Sequence, residues 1–511
     1  MTRHADPLDG GWWSRRGSLA LCLVLLAVPA VWFLSTSSRF GGYDCYFFLL
    51  YATDLAQSAH ETSFARYSYF PGSYAFWEAV ARAAGRNFAA YQRAFAGVGL
   101  ANAALTGLVV RAAGGGALLA ASSVCGYLVF GERLELGLMT TEALATLAPL
   151  LSVLILVTLR RRGRERMGLA ALGAGYGIAV FTKQQGAFVA LGAVGLAPFL
   201  WGRPRSWRSG CVDAATVVAT ALAVFALAMT VDGGGIEAVR LGVATAVDYQ
   251  SRGALGVHLV ELALKTPLLF AALVGAACAW PLAVASSRHR PDRDCDELLL
   301  VWGLGATTAL ATLFQFSKRG YAHYALLTLP YALMAIALAA SWTLERLRAF
   351  SAHAGVATVV SAASLLGVEA WALHRPQEPA SAPLHEGYLP ECDGIRQGER
   401  LLLLPSRQNA LHWACGTNAR GTRWGYTFNF QERPDEYIAE LAKPELTQVF
   451  VFKADAAHPY EQEIAGRHDW SVFFDALSRS GFRAVATRPA GTLYQRPAHD
   501  RAHEVQGDVH E

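Results

Sequence analysis

The stretch that decides the fold is residues 141–201, TEALATLAPLLSVLILVTLRRRGRERMGLAALGAGYGIAVFTKQQGAFVALGAVGLAPFLW. Apolar runs alternate there with an arginine cluster and then with a short turn that contains Lys183. About 20 apolar residues span roughly 30 Å of hydrocarbon, and lipid-exposed backbone at that depth must be helical because it finds no water to bond. Consecutive spans cross in opposite directions, so the arginine cluster and Lys183 are predicted to lie on opposite sides of a membrane.

The same pattern extends over most of the chain. The chain has 511 residues, is 53% hydrophobic and 16% charged, and has a mean hydropathy of +0.27, which is too apolar for one soluble globule. The net charge of +4 is small and no basic stripe with interleaved aromatics occurs, so nucleic acid is not expected as a partner. We count eleven candidate spans, at roughly 18–35, 91–110, 115–130, 140–159, 168–182, 186–201, 211–230, 267–286, 297–315, 324–341 and 353–371.

The arginines predict the orientation. With the N-terminus inside, every inner hinge is basic, as the positive-inside rule requires. The inner arginines are Arg15, Arg16, Arg111, Arg160, Arg161, Arg162, Arg164, Arg166, Arg203, Arg205, Arg208, Arg288, Arg290, Arg293, Arg346 and Arg348. No convincing cleavage site follows the first apolar run, so we interpret it as a retained span. This orientation puts Lys183, Lys265, Lys318 and Arg319 outside, on the side that carries Asp44.

The predicted fold class is mainly α, a polytopic helical bundle with a small extracytoplasmic α/β domain at the C-terminus. We predict a cytoplasmic segment over 1–17, a membrane domain over 18–372, an α/β domain over 373–497 and a disordered tail over 498–511. The first outer loop, 35–90, contains two short aromatic-rich pieces, 44–51 and 73–80, typical of interfacial helices. A second long outer segment, 232–265, is long enough to serve as a lid.

The C-terminal third changes to shorter apolar runs. Residues 400–405 and 448–453 predict buried strands, 433–443 and 469–480 predict helices, and 482–486 with 492–495 predict closing strands. Cys392 and Cys415 are the only cysteines there, so they either pair in an oxidising compartment or are unrelated thiols.

Four motifs then carry a resemblance to a known family. They are Gly41-Gly42-Tyr43-Asp44 after the first span, Tyr-Phe-Pro-Gly-Ser-Tyr at 69–74, Phe181-Thr182-Lys183-Gln184-Gln185-Gly186, and Lys318-Arg319-Gly320-Tyr321-Ala322-His323-Tyr324 with Pro330. In order and spacing they resemble the GT-C glycosyltransferases of the protein O-mannosyltransferase and bacterial aminoarabinose transferase type. The resemblance implies an integral membrane enzyme that moves a sugar from a polyprenyl-phosphate donor to a lipid, glycan or protein acceptor outside the cytoplasm.

The resemblance also assigns roles, and the chemistry supports them. An acidic residue in the first outer loop serves as the base, and the matching position here is Asp44. Relatives often carry a second acid next to it, where this chain has Cys45, so Asp44 acts alone or with Glu61 or Glu78. Negative charge builds on the departing phosphate, and fixed cations stabilise that transition state. Lys183, Lys318 and Arg319 suit that role, and the expected outcome is inversion.

Each assignment has a structural alternative. Asp44 could be an interfacial residue or a helix N-cap, Lys183 could extend from a helix end to the interface, and Lys318 with Arg319 could anchor the interface. Six further residues are possible pocket residues: Tyr69, Tyr74, Arg93, Glu142, Tyr321 and His323. The tyrosines could instead form an aromatic belt, and His323 could be an interfacial histidine. Arg93 and Glu142 could line one pocket or bind each other.

No cofactor and no metal site is predicted, because no Asp-x-Asp pair occurs on the outer side and the cations already present could neutralise a monophosphate. Two other functional classes remain possible. A transporter or flippase would show internal repeats and charges at mid-membrane, which we do not find. A non-catalytic scaffold would leave the outer cations unexplained. The sequence identifies neither the sugar nor the acceptor.

Overall fold

The computed structural model describes most of the helices and the C-terminal sheet. The described residues are 15–37, 46, 49–50, 72–134, 136, 141–194, 207–231, 236, 239–240, 243, 259–260, 263–264, 266–287, 293–316, 322–348, 384–404, 409–417, 434–453 and 469–497.

The chain forms two compact units. The first comprises Met1–Ser38, Tyr69–Ser73 and Phe88–Pro379, and the second comprises Arg39–Ser68, Tyr74–Asn87 and Ala380–Glu511. The first unit is helical throughout its described part. In chain order its helices are α1 (Arg15–Ser37), the start of α2 (Gly72–Ala84), α3 (Phe88–Ala112), α4 (Ala117–Arg133), α5 (Thr141–Arg161), α6 (Glu165–Thr182), α7 (Gly186–Val194), α8 (Trp207–Val231), α9 (Pro267–Ser287), α10 (Arg293–Phe316), a 3-10 helix (Ala322–Leu327) and α11 (Leu329–Arg348).

These helices confirm the predicted helical bundle. Ten of the eleven predicted runs coincide with them in whole or in part, and the last, 353–371, lies outside the described residues. Among the residues that the structure describes, five helices are long and apolar enough to cross a membrane, and two shorter apolar helices accompany them. The total of eleven spans stays a prediction.

Small residues bring α6 close to its neighbours. A Cβ on Gly173 or Gly177 would lie 2.4 Å and 2.5 Å from backbone oxygens of α8, and one on Gly175 would lie 2.4 Å from the Ser152 hydroxyl of α5. Glycines spaced four apart let helix backbones approach closely where lipid provides no hydrophobic drive. The position of α6, and therefore of Lys183 at its end, is fixed from two sides.

The bundle has one end marked by ion pairs of arginine. Arg161 at the end of α5 is paired with Glu297 near the start of α10, and Arg160 lies 3.8 Å from Glu165 at the start of α6. α5 has 21 residues, so its two ends are separated by roughly 30 Å. Its first turn therefore belongs to the opposite end of the bundle.

The second unit contains the predicted α/β domain. Its strands are β1 (Arg400–Leu404), β2 (Leu446–Phe452), β3 (Arg483–Thr487) and β4 (Gly491–Gln495). The sheet order is β1-β2-β4-β3, with β1 parallel to β2 and the other pairs antiparallel. The helices that follow α2 in this unit are α12 (Leu384–Gly387), a 3-10 helix (Leu389–Cys392), α13 (Asn409–Cys415), α14 (Pro434–Leu441) and α15 (Ser471–Arg479).

Apolar side chains of α14 and α15 cover one face of this sheet. Tyr437 and Phe473 are fully buried there against Leu402 and Val449. β1 and β2 are buried along most of their length, which explains why short apolar runs predicted them as buried strands. Cys392 and Cys415 form a disulfide, which settles the open question of their pairing.

Candidate functional site

A tight turn between α6 and α7 presents Lys183 to the interior of the first unit. Lys183 follows the last residue of α6 with extended backbone, φ −155° and ψ 136°, and its N–H still donates to Ala179 at 2.9 Å. The Gly186 N–H donates to the Lys183 carbonyl at 2.8 Å and so closes the turn. A Cβ on Gly186 would lie 2.4 Å from the Ala179 backbone, so this close approach needs glycine.

The Lys183 ammonium is buried and paired. It donates a hydrogen bond to the Glu142 carboxylate and another, at 2.7 Å, to the Thr141 hydroxyl. The Tyr324 ring lies beneath it, with Nζ 5.3 Å from the ring centroid. Relative exposures are 4% for Lys183 and 1% for Glu142, so the pair is shielded from water and salt. This burial does not fit a lysine that extends to the interface.

Three of the four sequence motifs meet at this point. Gly72 belongs to the motif at 69–74. A Cβ on Gly72 would lie 2.6 Å from the Phe181 ring and 2.9 Å from the Thr182 Cα, and these two residues directly precede Lys183. Tyr324, from the last motif, contacts Lys183 from another side. The motifs are separated by more than 100 residues in sequence, and packing of the first unit brings them together.

Other predicted site residues lie elsewhere or are not described. Asp44, Tyr69, Lys318, Arg319 and Tyr321 lie outside the described residues, as do Glu61 and Lys265, and so does most of the segment 232–265. His323 is part of the 3-10 helix, but its side chain is outside the description. Arg93 is exposed on α3. Tyr74 is buried on α2 in the second unit, where Glu78 lies 3.5 Å from Arg82.

Sequence reasoning missed two members of the cluster. Thr141 directly precedes Glu142 at the start of α5, and a hydroxyl at a helix start is a common polar partner. Tyr324 belongs to the last motif, in which Tyr321 and His323 were the predicted pocket residues. Local pattern could have suggested either residue, whereas their contact with Lys183 depends on helix packing.

A separate polar cluster in the second unit joins Tyr46 to the start of the C-terminal domain. The Tyr46 hydroxyl lies 2.7 Å from Nδ1 of His385 and accepts the His385 backbone N–H at 3.2 Å. Burial lowers the pKa of His385, with Glu386 opposing that effect. Tyr46, which has this contact, is two residues from the predicted base Asp44 in sequence.

A second polar cluster of the same unit joins Arg86 to the segment around Trp413 and Thr417. The Arg86 guanidinium donates to the Thr417 carbonyl at 3.1 Å and lies 5.9 Å from the Trp413 ring centroid. The Thr417 hydroxyl bonds His412 Nδ1 at 2.8 Å. Burial, with the positive Arg86 as a smaller cause, lowers the pKa of His412 to about 3, so this histidine is neutral in the folded unit.

The site and its surroundings define a class: a helical membrane bundle with a buried ammonium–carboxylate pair at one end, joined in the same chain to a small mixed sheet. No family model and no curated protein sequence matches the chain. Solved structures do match it, and they have the GT-C fold. The predicted GT-C fold is therefore confirmed, and the chain is a polytopic membrane protein of that fold.

Three of these structures illustrate the match. ArnT from Cupriavidus metallidurans, bound to undecaprenyl phosphate, gives a TM-score of 0.56 at 12% identity, covering 94% of this chain and 98% of that one. The Archaeoglobus fulgidus oligosaccharyltransferase, tethered to an acceptor peptide, gives a TM-score of 0.54 at 13% identity. The match covers 95% of this chain and 74% of that one. The arabinofuranosyltransferase AftD from Mycobacteria gives a TM-score of 0.50 at 16% identity, and the match covers 98% of this chain but 41% of AftD.

Proposed function

We propose that the chain is a membrane glycosyltransferase that moves a sugar from a polyprenyl-phosphate donor to an acceptor outside the cytoplasm, with inversion. The observation that carries the proposal is the buried Lys183 ammonium, held at the meeting point of three motifs in a bundle of GT-C fold. A buried ammonium stabilises an anion at close range, and the phosphate of a sugar donor is such an anion.

The donor class is supported by the solved structures. One is described as bound to undecaprenyl phosphate, and another, of the Archaeoglobus fulgidus enzyme, as complexed with a dolichol-phosphate. A prenyl tail stays in hydrocarbon while its phosphate reaches the membrane surface, and Lys183 lies near a helix end, where such a phosphate would arrive. Lys318 and Arg319 would add positive charge to the same phosphate.

The reaction we propose needs a base and a stabilised leaving group. The acceptor hydroxyl loses its proton to Asp44 as it attacks the anomeric carbon, and the carbon–oxygen bond to the phosphate breaks. Negative charge then grows on the departing prenyl phosphate, and Lys183 stabilises it more than it stabilises the intact donor. Attack opposite the leaving group inverts the anomeric centre.

The side of the membrane is part of the proposal. The arginine pairs Arg161–Glu297 and Arg160–Glu165 lie at the end of the bundle opposite Glu142 and Lys183. If basic hinges face the cytoplasm, the Lys183 site faces the outside, and the α/β domain after the last predicted span lies outside with it. The acceptor, whether lipid, glycan or protein, would then be extracytoplasmic.

The test uses proteoliposomes that contain the full-length protein and a radiolabelled polyprenyl-phosphate sugar. We expect Asp44→Asn to lose transfer by a factor of at least about 100 while it still binds the donor, since a general base contributes about 10²–10⁴-fold. Lys183→Met should lose both transfer and donor binding. A flippase or a scaffold would keep its transport or partner binding in Asp44→Asn, and that outcome would reject the enzymatic proposal. Sugars that accumulate on lipid after gene deletion would identify the donor.

A further inference from the structure

Lys183 already has an anionic partner before any donor arrives. Glu142 and Lys183 are 41 residues apart, yet they form a direct ion pair with side-chain exposures of 1% and 5%. A buried pair of this kind often contributes little to stability, because desolvation offsets the attraction, whereas removal of one partner leaves a costly lone charge. The pair therefore calls for an explanation other than stability.

Glu142 and a bound phosphate would compete for the same ammonium. Two negative charges about 4 Å apart repel each other strongly where water is excluded. A lysine ammonium has three donors, and two are taken here by Glu142 and Thr141, while the Tyr324 ring occupies another side. A phosphate that binds this ammonium would thus lie beside the carboxylate, and their mutual repulsion favours displacement of Glu142.

The location of Glu142 makes that replacement feasible. Glu142 is the second residue of α5, where the N–H groups of the first turn and the positive end of the helix dipole stabilise an anion. Thr141, whose hydroxyl lies 3.5 Å from Glu142 Oε2, adds a local polar partner. The helix start can thus hold the Glu142 side chain after it leaves the ammonium.

We infer that Glu142 is an exchangeable counter-ion: it holds Lys183 in the empty site, yields it to the donor phosphate, and takes it back when the prenyl phosphate leaves. This inference rests on the proposed function and assigns Glu142 a positioning role in it. The exchange keeps the buried ammonium neutralised at every stage. It also weakens binding of the prenyl-phosphate product, which must compete with an internal carboxylate, and so promotes its release.

The test measures binding of undecaprenyl phosphate to the purified full-length protein. We expect Glu142→Gln to bind it about 10–100-fold more tightly than wild type, in the usual range of coupling between two ligands of one site. Under turnover, the same variant should show a lower donor KM together with a lower kcat, because product is retained. Glu142→Asp keeps the charge and should lie close to wild type in affinity. A rise in melting temperature on addition of undecaprenyl phosphate, larger for Glu142→Gln than for wild type, separates this effect from misfolding.

Wild-type or weaker affinity in a Glu142→Gln protein that melts cooperatively overturns the inference and leaves the proposed function standing. If Lys183→Met binds undecaprenyl phosphate as well as wild type does, the phosphate site itself is refuted, and both proposals fall. An electron cryomicroscopy structure of the wild-type protein with undecaprenyl phosphate gives a readout without any variant. The phosphate should lie on Lys183, with Glu142 beyond the roughly 4 Å limit of an ion pair; a Glu142–Lys183 pair that persists beside bound phosphate contradicts the exchange.

Discussion

Replacing Gly72 by alanine tests whether the contact between two motifs positions Lys183. The new methyl carbon would lie 2.6 Å from Phe181 Cδ1 and 2.9 Å from the Thr182 Cα, against an ordinary carbon–carbon contact of about 3.5 Å. The Phe181 ring can turn, but the Thr182 backbone must retreat by about 0.6 Å to restore that distance. Because Thr182 is bonded to Lys183, the ammonium should shift by a similar amount.

The size of the effect follows from this displacement. Overpacking of this kind lowers the free energy of unfolding by about 1–3 kcal/mol. A misplacement of about 1 Å in a reacting site lowers the reaction rate by about 100-fold. We expect Gly72→Ala to lower sugar transfer by about tenfold and to lower the melting temperature. Transfer in proteoliposomes and thermal unfolding of the purified protein measure the two effects.

Gly275→Ala is the matched control for this substitution. Gly275 lies in the interior of α9 and a Cβ there meets nothing within 4 Å, so alanine should be tolerated and should favour the helix by about 1 kcal/mol. The reasoning is refuted if Gly72→Ala transfers sugar at the wild-type rate and melts no lower than Gly275→Ala. In that case the turn that carries Lys183 is not held by Gly72.

Three further predictions concern the effect of acid on stability, the loss of the disulfide and the addition of a chelator. The pKa of His412 is about 3 in the folded unit, so below about pH 6.5 the unfolded chain gains a proton that the folded unit does not. The free energy of unfolding is therefore unaffected by this group above that pH and falls, by up to about 4 kcal/mol, as pH approaches 3. Melting curves between pH 4 and pH 8 should show this loss, and a His412→Asn variant that keeps the full pH dependence would contradict it. Removal of the disulfide in a Cys392→Ser, Cys415→Ser double variant should cost about 3 kcal/mol in unfolding free energy, because the bridge closes a 23-residue separation; an unchanged denaturation midpoint would rule out that contribution. Transfer should survive a chelator, since we assign phosphate neutralisation to protein cations, and loss of activity that manganese or magnesium restores would disprove metal independence.

The C-terminal domain and the membrane bundle could be predicted from local pattern. Short apolar runs predicted β1 and β2 within a few residues, and longer apolar runs predicted the helices of the first unit. Both signals lie in neighbouring residues, since a membrane span needs a minimum apolar length and a fully buried strand is a short continuous apolar run. The motif order was sufficient to predict the GT-C fold.

The sequence by itself determined which residue types are available at the site and the order in which they occur along the chain. Only the tertiary structure decided their partners: Glu142 for Lys183, Phe181 and Thr182 for Gly72, and His385 for Tyr46. These partners are between 41 and 339 residues apart, and hydropathy contains no information on which helix packs against which. The choice depends on close contacts, such as those of the α6 glycines, that bring one helix end against another. A buried charge must then be neutralised by whatever anion the packing places beside it, and here the packing places Glu142.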